Sequence, residues 1–157
     1  VVQVGKLEQF TRQRIRNAAF LSEQLADIVQ TPIVKPGYRH VYHQYTIRVP
    51  EGADKSAVGA INRPLRRDEW VRKLGARGVG SAVHYPCPIH MQPYYREVPE
   101  KFRVVAHQSR ERAAQNGKGL LPVAEEAAQQ VLSLPVHPAL TAEELETIVQ
   151  EIRALCH

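Results

Sequence analysis

The sequence is poor in sulfur and in aromatic rings: it has two cysteines, one methionine and one tryptophan, and Phe, Trp and Tyr together make up 6%. Cys87 and Cys156 form no paired-cysteine spacing of the kind that makes a zinc site or a disulfide framework, which fits a reducing, cytoplasmic setting. No apolar run approaches the roughly 20 residues of a membrane helix, and no signal-peptide pattern is present. No glycine-rich phosphate loop with its lysine occurs, and there is no internal repeat. The net charge of +5 is spread through Arg12 to Arg16, Arg63 to Arg77 and Arg96 to Arg112, without a nucleic-acid motif or interleaved stacking aromatics, which argues against nucleic acid as a partner.

What is present fits one domain of 157 residues. From Leu7, the residues Phe10, Ala18, Leu21, Leu25 and Ile28 recur at near-helical spacing and predict a long amphipathic helix, interrupted on its apolar side by Arg14. The chain starts at Val1 without a clear N-cap, as if inside a longer element. Thr31, Pro32, Pro36 and Gly37 break the helix. HVYHQYTIRV, residues 40–49, alternates as a strand, with Val41, Tyr45, Ile47 and Val49 on one face. RRDEWVRKLGARG reads as a helix with Trp70, Val71 and Leu74 inward and Gly78 at its end, followed by a second strand, VGSAVHY, stopped by Pro86 and Pro88. Pro99 to Gly119 reads as a polar loop with a helical piece around Ser109 to Gln115. A helix near Ala124 to Gln130, a third strand in VLSLPV and a final helix follow. Thr141 and Glu144 form a capping box for that last helix, and Leu145, Ile148, Val149, Ile152 and Leu155 give it an apolar face. The order predicts an α+β fold, a small and mainly antiparallel sheet packed with helices.

Seven histidines raise the question of metal, but spacing gives it little support. His40 and His43 stand three apart on a predicted strand and should face opposite ways, and His84 with His90 across a turn is a weak zinc signal. Cys87 lies between two prolines with no nucleophile motif around it and reads as a small packed thiol. The unusual feature is VHYPCPIHMQPY, residues 83–94, where prolines stiffen a segment carrying His84, Tyr85, His90, Gln92 and Tyr94. The residues alone leave two readings open: the rim of a ligand site, or a proline-rich turn with a hydrogen-bonded histidine.

Four ordered stretches resolve that choice. GKLEQFTRQRIRNAAFLSEQL, HVYHQYTIRV, RRDEWVRKLGARGVGSAVHYPCPIHMQPYY and LPVAEEAAQQVLSLPVHPALTAEELETIV resemble the C-terminal part of the DegT/DnrJ/EryC1/StrS family of pyridoxal-phosphate-dependent sugar aminotransferases. The resemblance implies the C-terminal small domain of a fold-type I transferase, with residues 1–30 as a long connecting helix, 31–157 as the small domain, and a large cofactor-binding domain outside this chain. It implies amino transfer from glutamate or glutamine to a nucleotide-linked keto sugar in polysaccharide or antibiotic sugar biosynthesis, by a homodimer. Lys6, Lys35, Lys55, Lys73, Lys101 and Lys118 match none of the family's Schiff-base positions, so the chain alone should be inactive, with neither catalytic nor cofactor-binding residues of its own. By resemblance His84, Tyr85 and His90 are the candidate sugar-binding residues, His90 being the weaker candidate with a supporting role as its alternative, although a strict strand would let only one of the first two reach the sugar. His43, Gln44 and Tyr45 resemble core or supporting groups. Ala53 to Leu65 and Arg103 to Gly119 look longer than the family pattern and read as surface loops. The rivals are a noncatalytic binding or assembly module of the same fold, and a zinc protein.

Overall fold

A computed structural model describes residues 2–50, 66–97 and 121–156. The predicted loop and helical piece between 99 and 119, and the loop at 53–65, lie outside the described residues. Helix α1 runs Val2–Leu25, about 36 Å at 1.5 Å per residue. Its first turns are exposed, whereas Ala18, Leu21 and Leu25 are fully buried. The helix stops short of position 30: the Leu25 carbonyl is shared by the N–H groups of Ile28 at 3.1 Å and Val29 at 3.0 Å in a closing turn, and Gln30 then bridges to Arg48. Ile28 therefore packs on the core from a turn rather than from the helix. Arg14 keeps its stem half-buried and donates to the carbonyls of Tyr42 at 3.3 Å and His43 at 3.5 Å.

Strand β1 is Tyr45–Arg48, shorter than the alternation of residues 40–49 predicts. Tyr42 has φ +47°, in the left-handed region, and this reverses the chain's facing: Tyr42 is buried and Val41 is 51% exposed, the opposite of the strand reading. Helix α2, Arg66–Ala76, buries Trp70 and Leu74 and ends at Gly78, whose φ of +80° suits a residue without Cβ. The expected strand at VGSAVHY contracts to a single antiparallel bridge, Ala82 to Ser133. A 3₁₀ turn at Ile89–Met91 and a short helix α3, Pro93–Glu97, follow. Helix α4, Pro122–Gln130, runs directly into strand β2, Val131–Leu134.

The two strands pair antiparallel with Tyr45 opposite Leu134 and Ile47 opposite Leu132. Ser133 is buried: its backbone N–H and carbonyl pair with Ala82 on the other edge of β2 at 2.8 and 3.1 Å, while its hydroxyl meets Thr46 Oγ1 at 2.9 Å. The last helix, α5, is Ala142–Cys156. Its capping box forms as the sequence predicts: Thr141 N–H donates to Glu144 Oε2 at 2.8 Å and Glu144 N–H to Thr141 Oγ1 at 3.2 Å. The core joins Leu21 and Leu25 of α1, Tyr45 and Ile47, Trp70 and Leu74, Leu132, and Ile152 of α5. Arg153 fastens α5 to the end of α1, donating to the Gln24 carbonyl at 2.7 Å and to Asp27 at 2.9 Å, where a helix C-terminus favours a cation. The α+β architecture with a small antiparallel sheet is therefore the one the element order implies. None of the described helices is long and apolar enough to cross a membrane.

Candidate substrate-facing ledge

The chain leaves the sheet at Ala82 and within two positions reaches solvent. Val83 packs partly against the core, while His84 and Tyr85 are both exposed, the latter at 75%. Strand alternation is already broken here, since a strict strand would expose only one of the two, and their rings meet edge to face with centroids 5.7 Å apart.

The prolines that follow leave few free donors, and the segment closes on itself. Met91 N–H donates to the Pro88 carbonyl at 2.9 Å, Gln92 N–H to Ile89 at 3.0 Å, and the Gln92 side-chain amide reaches back to the Cys87 carbonyl at 3.2 Å. Cys87 is half-buried, with its thiol 3.6 Å from the Pro88 carbonyl. Pro93 starts α3, a position where a missing N–H costs nothing. Tyr94, 61% exposed, stands edge to face with Tyr95 at 5.5 Å.

His90 is placed differently from His84. Its side chain is only 13% exposed, and Nε2 lies 2.9 Å from Glu125 Oε1, in the first turn of α4. The same oxygen accepts the Leu121 N–H at 3.0 Å, so it also caps that turn. Glu125 is the member of this arrangement that reading the residues did not single out. A first-turn glutamate after Pro122 signals a cap, but nothing local points it at a histidine 35 positions earlier.

The other candidates separate from the ledge. His43 and Gln44 are exposed rather than core groups, and His40 Nδ1 accepts the Tyr42 N–H at 2.9 Å. Tyr45 is a core group: burial pushes its phenol up to about 12, although the Ser22 hydroxyl 2.9 Å away pulls the other way. Among the described residues no group of three or more His, Cys, Asp or Glu is placed to hold a metal ion. A shallow groove lined by Asp27, Gln30, Arg48 and Glu126 shares no residue with the ledge.

The chain is 34% identical over 155 residues to a pleiotropic regulatory protein of Geobacillus stearothermophilus, covering 96% of the chain and 33% of the relative. It is 32% identical over 152 residues to the UDP-N-acetyl-3-dehydro-alpha-D-glucosamine 3-aminotransferase of Acidithiobacillus ferrooxidans, covering 96% and 32%. Among solved structures, a DegT DnrJ EryC1 StrS aminotransferase from Brucella abortus superposes with TM-score 0.71 at 29% identity, over 96% of this chain and 32% of that one. The chain spans about a third of the length of the curated relatives it matches. Residues 1–153 match the model of the DegT/DnrJ/EryC1/StrS aminotransferase family, and the chain belongs to that family.

Proposed function

We propose that the chain is the C-terminal, sugar-side portion of a pyridoxal-phosphate-dependent aminotransferase that moves an amino group from glutamate or glutamine to a nucleotide-linked keto sugar. In this reading residues 1–30 connect to a large cofactor-binding domain, 31–157 form the small domain, and the parent works as a cytoplasmic homodimer. The observation that carries it is the family match over residues 1–153 together with two exposed polar rings, His84 and Tyr85, held on one tethered ledge.

Pyridoxal phosphate supplies the electron sink and carries the amino group between donor and acceptor. The described residues do not fit that cofactor: Lys6 and Lys35 are exposed, and Lys73 is half-buried and paired with Glu69 at 2.7 Å, so none is enclosed as a Schiff-base lysine requires. No cofactor step falls to these residues, and in this reading the Schiff-base lysine belongs to the large cofactor-binding domain. The part left to the ledge is to hold the sugar. An imidazole and a phenol can each donate and accept a hydrogen bond, which suits the mixed donors and acceptors of sugar hydroxyls. His90 supports the pair from behind. The 3-dehydro UDP-sugar named for the Acidithiobacillus relative, and the dTDP-3-amino sugar named for a Streptomyces venezuelae transaminase 28% identical to this chain, make UDP- and dTDP-linked 3-keto hexoses the substrates to try first.

The test uses the full-length protein. Bound pyridoxal phosphate should give a visible absorbance that glutamate or glutamine bleaches, and His84→Ala or Tyr85→Phe should slow the sugar half-reaction more than the amino-donor half-reaction. Equal losses in both halves would count against a sugar-side role, and an intact protein that never binds pyridoxal phosphate would end the enzymatic reading. A second reading, a noncatalytic binding or assembly module of the same fold, draws on the name of the Geobacillus relative, a regulatory protein. It is favoured by that last outcome.

A further inference from the structure

Between Cys87 and Gln92 the hydrogen bonds run within the segment or on to α3, and His90 Nε2 to Glu125 Oε1 ties the segment to α4. Both side chains are largely buried, at 13% and 17% exposure, so water and salt compete weakly for the contact. An ionised carboxylate only accepts, which makes Nε2 the nitrogen that carries hydrogen and fixes both the tautomer and the plane of the ring. Because Oε1 also accepts the Leu121 N–H, it cannot follow a displaced histidine without losing the cap, and its position is set by the first turn of α4.

We infer that Glu125 is a positioning residue for the sugar ledge: through His90 it sets where the turn after His84 and Tyr85 sits, without itself touching substrate. The inference rests on the ledge facing the sugar. It makes Glu125 act on sugar binding through His90, which a purely structural cap would not do.

A double-mutant cycle in the full-length, cofactor-loaded protein tests this, using as probe the best-accepted member of a panel of UDP- and dTDP-linked 3-keto hexoses. Glu125→Ala should raise the KM for the sugar about tenfold, the size of a lost charge-assisted hydrogen bond, and leave the amino-donor half-reaction within about twofold. Glu125→Gln, whose amide oxygen can accept from both partners, should restore KM. In a His90→Phe background the further effect of Glu125→Ala on KM should vanish, while the loss of the cap still lowers the melting temperature. Additive effects on KM, or an unchanged KM in Glu125→Ala where His84→Ala raises it, would overturn the inference. An unchanged KM in His84→Ala would remove the sugar-facing reading and this inference with it. Nitrogen-15 spectra of labelled histidine read the geometry without turnover: His90 should be the Nε2–H tautomer in the parent and in Glu125→Gln, and mixed in Glu125→Ala. A parent already mixed at His90 would overturn the inference whatever the ledge faces.

Discussion

The guanidinium of Arg67 donates to the backbone carbonyl of Ala128, joining the start of α2 to the last turn of α4. Arg67 is only 4% exposed, and its charge is balanced by Asp68 at 2.6 Å, which itself stands half in solvent. A cation beside the late carbonyls of a helix is favoured by the helix dipole, and without it the Ala128 carbonyl would lose its donor. Arg67→Met keeps most of the stem but removes the donor, and should cost about 2 kcal/mol in urea denaturation. Arg67→Lys, with charge but no fork, should recover part of that loss.

Thr141→Ala removes one half of the reciprocal cap on α5 and should destabilise the fold by about 1 kcal/mol. The loss is global rather than local, because the same helix buries Leu145, Ile148, Val149 and Ile152 in the core. Thermal unfolding followed by circular dichroism checks the magnitude, and an unchanged midpoint would count against the cap.

Tyr45 makes stability depend on alkaline pH. In the unfolded chain its phenol ionises near 10.0, whereas burial holds the folded group protonated to about 12. Between those values the unfolded state binds fewer protons than the native one, so stability contributed by this group is intact below pH 10 and falls as pH rises toward 12. Chemical denaturation of the parent and of Tyr45→Phe at a series of alkaline pH values should show a slope in the first that is reduced in the second.

His84 and Tyr85 should be replaceable without loss of folding. Both are exposed and belong to no core contact, so His84→Ala and Tyr85→Phe should each change stability by no more than about 0.5 kcal/mol. A larger drop in either variant would assign the ledge a structural duty.

The parts of the fold that were legible in the sequence are those set by local periodicity and by hydrogen bonds between near neighbours. The apolar spacing of Ala18, Leu21 and Leu25 marks the buried side of α1, and Thr141 with Glu144 marks the start of α5. The strands were read too long for two different reasons. Alternation from Val41 to Val49 cannot register a left-handed backbone at Tyr42, a conformation that tyrosine does not advertise. Nor can VGSAVHY reveal that β2 offers it a bridge only at Ser133. At the ledge, prolines and polar rings were visible as a pattern, but the His90 contact with Glu125 depends on how α4 packs, and no local rule contains that.

Among the described residues two ties hold the ledge to α4 and β2, Ala82 on Ser133 at its root and His90 on Glu125 after Pro88. Both supports lie on one unbroken piece of chain, since α4 passes into β2 without a loop between Gln130 and Val131. The ledge is therefore a plank resting on two trestles of a single frame. Whatever shifts that frame carries His84 and Tyr85 along at constant spacing, so their separation from each other is preserved even where their distance to a neighbouring body changes.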